Sequence, residues 1–187
     1  MRSLLLAAVA VAAFAAEGRG QQSGCAQRPI VVNSAAGAFS LDTVPGWLVT
    51  CSPSRDDSVL VVYRRFRDAA RLGVAFMYVG VLSPSAAKPA TFAQRLDDDA
   101  ANRKRGVPDF AVTEQKKVQT KKGESATVRQ YWGRSRDLYE MVAYIPRGPH
   151  IVVIGIKTQA EMPFLNALRE FNLLVRSYAP APQTKAK

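Results

Sequence analysis

The sequence predicts an α+β domain: an antiparallel β-sheet of about six to seven strands flanked by helices. Three observations carry this. Alternating or β-branched runs recur between turn residues over 39–63 and again over 110–156. Two other segments, one starting at Phe92 and one at Phe164, repeat their apolar residues at helical spacing. The turns between successive strands are short, which favours antiparallel neighbours over the long crossovers of a parallel sheet.

The chain opens with Met1-Arg2-Ser3, then an unbroken apolar run from Leu4 to Ala16, with Ala13-Phe14-Ala15 as a small-x-small cleavage pattern. That order of charge, apolar core and small residues predicts a cleavable signal peptide over 1–15, and hence a protein exported to a periplasm or secreted. A membrane anchor would need more length. At about 1.5 Å per residue the run reaches roughly 20 Å, short of a ~30 Å hydrocarbon core. Residues 16–36 are small and polar apart from Ile30-Val31-Val32, and read as a flexible linker with room for one short strand.

The domain proper is expected over 37–179. Phe39 to Thr43 alternates apolar and polar, as a half-buried strand does. Pro45-Gly46 breaks it, and Trp47 to Cys51 forms the next strand, followed by a polar turn over 52–58. Val59 to Tyr63 is apolar on both faces and suits a central strand, as does the stretch from Leu72 to Leu82. Thr91-Phe92-Ala93-Gln94 is a capping-box sequence, and Phe92, Leu96 and Ala100 share one helical face. Gly106-Val107-Pro108 ends that helix. Phe110 to Thr120 alternates weakly, as an edge strand would, and Lys121-Lys122-Gly123 is a hairpin tip. Strands follow over 126–132, 138–145 and 151–156. Phe164, Leu168, Phe171, Leu174, Val175 and Tyr178 then mark a closing amphipathic helix, ended by Pro180 and Pro182. Residues 180–187 read as a disordered basic tail.

Composition bounds the function without naming it. The full chain carries 26 Lys+Arg against 15 Asp+Glu, a net charge of +11, which becomes +10 when Arg2 leaves with the signal peptide. Such a field attracts anions, and it also simply keeps a protein soluble. The two cysteines, Cys25 and Cys51, form an even pair in a chain bound for an oxidising compartment, so one disulfide is expected. The alternative is two free thiols. With a single histidine the cysteines have no zinc-type spacing, and no metal or cofactor is expected.

The residues with chemical potential each have a plain competitor. His150 is the sole histidine, with no nucleophile signature such as G-x-S-x-G around any serine, so no catalytic role is assigned to it. Asp97-Asp98-Asp99 fans out by ~100° per residue on a helix, and its carboxylates cannot converge on one ion unaided. Arg95 and Arg103, each four residues from Asp99, predict ordinary surface pairs. Arg129-Gln130-Tyr131-Trp132 mixes basic and aromatic residues as nucleic-acid platforms do, but no recognised binding motif accompanies it, and the alternation makes one aromatic a core residue. Lys116, Lys117, Lys121 and Lys122 lie near one hairpin tip. They suit anionic lipid, phosphate or a partner surface, and equally suit the protection of an exposed strand edge against aggregation.

Phe39-Ser40-Leu41 followed by Pro45-Gly46-Trp47, together with the order of elements and the last helix running into Leu174-Val175-Arg176-Ser177-Tyr178, resembles the PsbP/DcrB-like family over about residues 37–179. The resemblance implies a PsbP-like α/β/α sandwich. It also implies an accessory or binding module, with no catalytic motif to carry over. The resulting expectation is an exported non-catalytic module for a protein partner or an anionic envelope component. A small hydrolase without a recognisable motif and a structural envelope protein are the alternatives.

Overall fold

The computed structural model describes residues 28–51, 59–65, 75–84, 90–107, 109–133 and 138–181. The predicted signal peptide, Cys25 and most of the predicted linker lie outside these residues, as do 182–187 of the predicted tail.

Seven strands form the main sheet: β3 (Trp47–Cys51), β4 (Val61–Arg65), β5 (Phe76–Leu82), β6 (Ala111–Gln119), β7 (Ser125–Gly133), β8 (Leu138–Arg147) and β9 (His150–Thr158). Their order across the sheet is β3-β4-β5-β9-β8-β7-β6, and every pair is antiparallel. The sheet is thus two meanders meeting at β5 and β9. Helix α1 (Phe92–Gly106) joins them by carrying the chain from β5, the third strand in this order, to the far edge β6. β5 ends at Leu82 beside the β8–β9 turn, whereas β6 begins opposite Trp132 at the other end of the strands, and α1, about 22 Å long, runs back between these ends, from Arg95 near Leu82 to Val107 near Gly133. The return meander then delivers β9 against β5 over seven paired residues.

Helix α2 (Glu161–Ser177) covers the opposite face of the sheet. A second, three-stranded sheet of β1 (Ile30–Val32), β2 (Phe39–Leu41) and β10 (Ala179–Pro180) closes the end of that layer, in the order β1-β2-β10. Here the structure corrects the expected boundaries. Ile30 and Val32 are buried and paired with β2, so residues 30–32 belong to the folded unit and not to a flexible linker. Ala179 and Pro180 pair with Ser40 and Phe39, so the domain continues through the first predicted tail residue. A proline can sit in β10 because that strand lies at a sheet edge.

Strand alternation divides the core in two. Val152, Ile154 and Ile156 of β9 and Ala143 and Ile145 of β8 face α2, where Phe164, Phe171, Leu174 and Val175 meet them. Tyr178 and Phe39 join this layer with ring centroids 5.4 Å apart. The residues between, Ile151, Val153, Val142 and Tyr144, face α1. Both strands are therefore buried on both sides over Val142–Ile145 and Ile151–Ile156, which is why those stretches are apolar on both faces.

The two helices attach differently. α2 brings five buried apolar side chains to the sheet. α1 buries only Leu96 fully, with Phe92 and Ala100 partly covered. Its N-terminus is fixed by the predicted capping box: the Gln94 amide donates to Thr91 Oγ1 at 3.2 Å, and the Thr91 amide donates to Gln94 Oε1 at 2.8 Å. Arg103, Lys104 and Arg105 in its last turn suit the negative end of the helix dipole.

Candidate functional site

A groove of about 1000 Å³ lies on the α2 side, between that helix and the outer strands β6 and β7. α2 lies mainly over β9 and touches β8 and the edge strand β6 to a similar extent, and the groove opens between the helix and the β6–β7 face. The floor is apolar, made by Val118, Val128 and Met141. Lys117 and Lys121 stand on one wall; Arg169, Asn172, Leu173 and Arg176 of α2 stand on the other. Among the described residues none of these four cations makes an ion pair. The Lys121 amide donates to the Arg176 carbonyl at 2.7 Å, which pins the hairpin to the end of α2 and sets the groove's width there.

The four lysines singled out in the sequence separate. Gly123 takes the positive φ (81°) expected of the hairpin tip. Lys116 and Lys117 fall where the β6–β7 register shifts between Gln115 and Val118, a bulge in the edge strand. Lys117 and Lys121 line the groove, whereas Lys122 lines a neighbouring hollow with Lys121, Arg147, Asp42 and Ser177. The side chain of Lys116 lies outside the described residues. Two of the four thus share the groove, and Arg169 and Arg176 complete it. Sequence reading passed over those arginines because it followed only the apolar phase of α2; their seven-residue spacing was the available signal.

Cys51 ends β3 and is half-buried, but Cys25 lies outside the described residues, so their pairing stays a proposal.

On the α1 side a polar network lies beneath the helix. Arg103 bridges Asp99 at 2.7 Å and Glu140 at 2.6 Å, with side-chain exposures of 18%, 14% and 4%. The Tyr78 hydroxyl donates to Glu140 Oε1 and the Tyr144 hydroxyl to Asp99 Oδ2, each at 2.5 Å. The Tyr131 and Tyr144 hydroxyls meet at 2.8 Å, and the Arg103 guanidinium lies 5.0 Å from the Tyr131 ring centroid. Gly155 makes room for this arrangement: a Cβ there would run into the Tyr78 ring. Burial, followed by the Glu140 carboxylate, pushes the Tyr78 phenol well above its usual range, and burial also raises the phenols of Tyr131 and Tyr144. Burial disfavours the Arg103 cation, but the surrounding phenols and carboxylates outweigh it and hold the guanidinium charged.

The expected surface pairs of α1 are therefore corrected. Arg103–Asp99 is a largely buried pair that bridges to the sheet. Arg95 does not pair with Asp99; it donates to the carbonyls of Pro149 and Leu82 at 2.6 and 2.5 Å. The aspartates do fan apart. Asp97 meets Arg129 at 2.8 Å, and Asp99 enters the network. Tyr131 is the core aromatic of its segment, and Trp132 is half-buried.

His150 lines a groove of about 830 Å³ with Ser83, Asp98 and Asp99. Its Nδ1 has no hydrogen-bond partner among the described residues, and none joins it to Ser83 or either aspartate.

An antiparallel sheet with one helix on each face and a small second sheet closing one layer is a PsbP-like α+β fold. Among solved structures, the chain resembles cyanobacterial PsbP (CyanoP) of Synechocystis sp. PCC 6803, with a TM-score of 0.54 and 12% identity over 80% of this chain and 91% of that one. It also resembles LpqN of Mycobacterium tuberculosis, a protein involved in cell envelope biogenesis, with a TM-score of 0.51 and 11% identity over 77% and 83% of the two chains. No protein-family model matches the chain, and no curated protein matches it in sequence. The likeness is one of fold.

Proposed function

We propose that this protein is an exported, non-catalytic accessory module that holds an anionic segment of a protein partner in the groove between α2 and the β6–β7 hairpin. The observation that carries the reading is the convergence of Lys117, Lys121, Arg169 and Arg176, unpaired among the described residues, around an apolar floor. Four cations that only solubilise have no need of a shared concavity. Apolar floor and charged rim together are the composition of a recognition groove. The role in cell envelope biogenesis stated for LpqN is compatible with such a module in an envelope. No helix among the described residues is long and apolar enough to cross a membrane.

The test is retention of envelope extract on the immobilised mature protein, from about Ala16, at low and then rising salt. Screening shortens to about 3 Å at 1 M salt, so a groove-bound anionic partner should elute as one discrete protein species. Lys117→Gln, Lys121→Gln, Arg169→Gln and Arg176→Gln combined should weaken its retention by about tenfold or more, at up to ~1 kcal/mol per exposed pair. Undiminished retention by this variant would remove the groove from the function. Elution of an anionic envelope polymer or lipid in place of a protein would assign the groove to that component.

A further inference from the structure

Resting on that reading, we infer that the segment α2 receives is an acidic amphipathic helix of a protein partner, packed along the outer stripe of α2. The structure carries this through a second periodicity in α2. Phe164, Ala167, Phe171, Leu174 and Val175 form its buried face. Met162, Leu165, Arg169, Asn172, Leu173 and Arg176 are spaced by three, four, three, one and three residues, which at ~100° per residue confines them to a stripe of about 100° on the side away from the buried face. Met162 is 63% exposed, and Leu165 and Leu173 are each 49% exposed. These are three of the five large apolar side chains exposed among the described residues, on a helix whose core face is already satisfied. Met162, Leu165, Arg169, Asn172 and Arg176 follow one another at a spacing of three and four with Leu173 beside them, a seam that is apolar at its first turn and cationic along the rest, which an amphipathic helix of matching pattern can pack against.

The charges choose the kind of helix. Arg169 and Arg176 sit on the seam itself, two turns and about 10.5 Å apart. A packed partner would desolvate them, so it must present carboxylates there, seven residues apart, with apolar residues opposite Met162, Leu165 and Leu173. Lys117 and Lys121 on the facing wall add to the preference for acid. The hairpin wall beside Arg169, Leu173 and Arg176 makes that end of the stripe concave, which suits a rod lying beside α2 better than a flat lipid surface.

The probe is a fluorescein-labelled synthetic helix of about 21 residues, with leucines at heptad a and d positions and glutamates at two a positions one heptad apart. It is titrated against the full mature protein by anisotropy. Replacing the two glutamates by glutamine should weaken binding roughly tenfold, and Arg169→Glu with Arg176→Glu should do the same. A lysine version of the peptide should bind that charge-reversed variant within about threefold of the original pair. Absence of binding by the glutamate peptide overturns the inference, as does equal binding by the charge-reversed variant or failure of the swap to rescue. Sedimentation with vesicles of mixed phosphatidylcholine and phosphatidylglycerol, lost on Arg169→Glu and Arg176→Glu, would assign the stripe to lipid and also overturn it. Met162→Ser with Leu165→Ser separates this inference from the groove itself, since neither residue lines the groove. An envelope partner held as tightly by that variant leaves the groove reading standing and removes the helix. Unchanged melting of each variant shows that the surface alone was altered.

Discussion

Replacing Arg103 by methionine tests what holds α1 to the sheet. The substitution keeps most of the side chain's apolar volume and removes the charge that faces both Glu140 and Asp99. Glu140 has a side-chain exposure of 4%, so its carboxylate would be left buried without its ion-pair partner; Lys157 stands opposite it in register on β9 but makes no ion pair with it. Breaking a buried pair in this way costs about 3–5 kcal/mol. The lower end applies, because Tyr78 still donates to Glu140 and Tyr144 to Asp99. For a domain of this size about 3 kcal/mol lowers Tm by roughly 6–12 °C. Urea denaturation followed by circular dichroism, with thermal melts alongside, reads both quantities. Adding Glu140→Gln removes the stranded charge while leaving an oxygen to accept from Tyr78. The double variant should therefore recover to within about 1.5 kcal/mol of the original protein. A loss below about 1 kcal/mol for Arg103→Met would refute the reasoning. So would a double variant no more stable than the single one, since the cost would then not be an uncompensated charge.

Buried phenols on both faces of the sheet make the protein sensitive to alkali. Burial raises the phenols of Tyr63, Tyr78, Tyr131, Tyr144 and Tyr178, with Tyr178 pushed up to about 12. Above pH ~10 the unfolded chain releases protons that the folded state retains, so stability is intact below that pH and falls as pH rises through it. Tyrosinate absorbance from these five should emerge together with loss of the fold; early, reversible ionisation in the folded protein would contradict their burial. Gly155→Ala should cost about 1–3 kcal/mol in urea denaturation, because its methyl group displaces the Tyr78 ring from Glu140. A neutral substitution would show that the ring moves freely. If Cys25 and Cys51 are bonded, intact mass should rise by two hydrogens on reduction, and replacing both by serine should cost up to ~3.5 kcal/mol for a loop of about 27 residues. An unchanged mass on reduction would remove the disulfide.

Periodicity in the sequence determined most of the secondary structure. The capping box at Thr91, the buried face of α2, the hairpin tip at Gly123 and the doubly buried β8 and β9 all follow from local spacing and residue type. Local spacing is sufficient there because each element must hide its own apolar face. What the sequence could not determine is which residues meet across long separations. Arg103 reads as a surface residue of a polar helix until β8 brings Glu140 beneath it and β5 brings Tyr78. Residues 30–32 read as linker until β2 gives them hydrogen-bonding partners, themselves held by β10 from the far end of the chain. The groove has the same origin. Lys117 and Lys121 are separated from Arg169 and Arg176 by three strands and most of a helix, and α2 meets the hairpin only because the meander folds back under it. Charge carries no periodic requirement of its own, so its placement is decided by the tertiary packing that hydrophobic burial imposes.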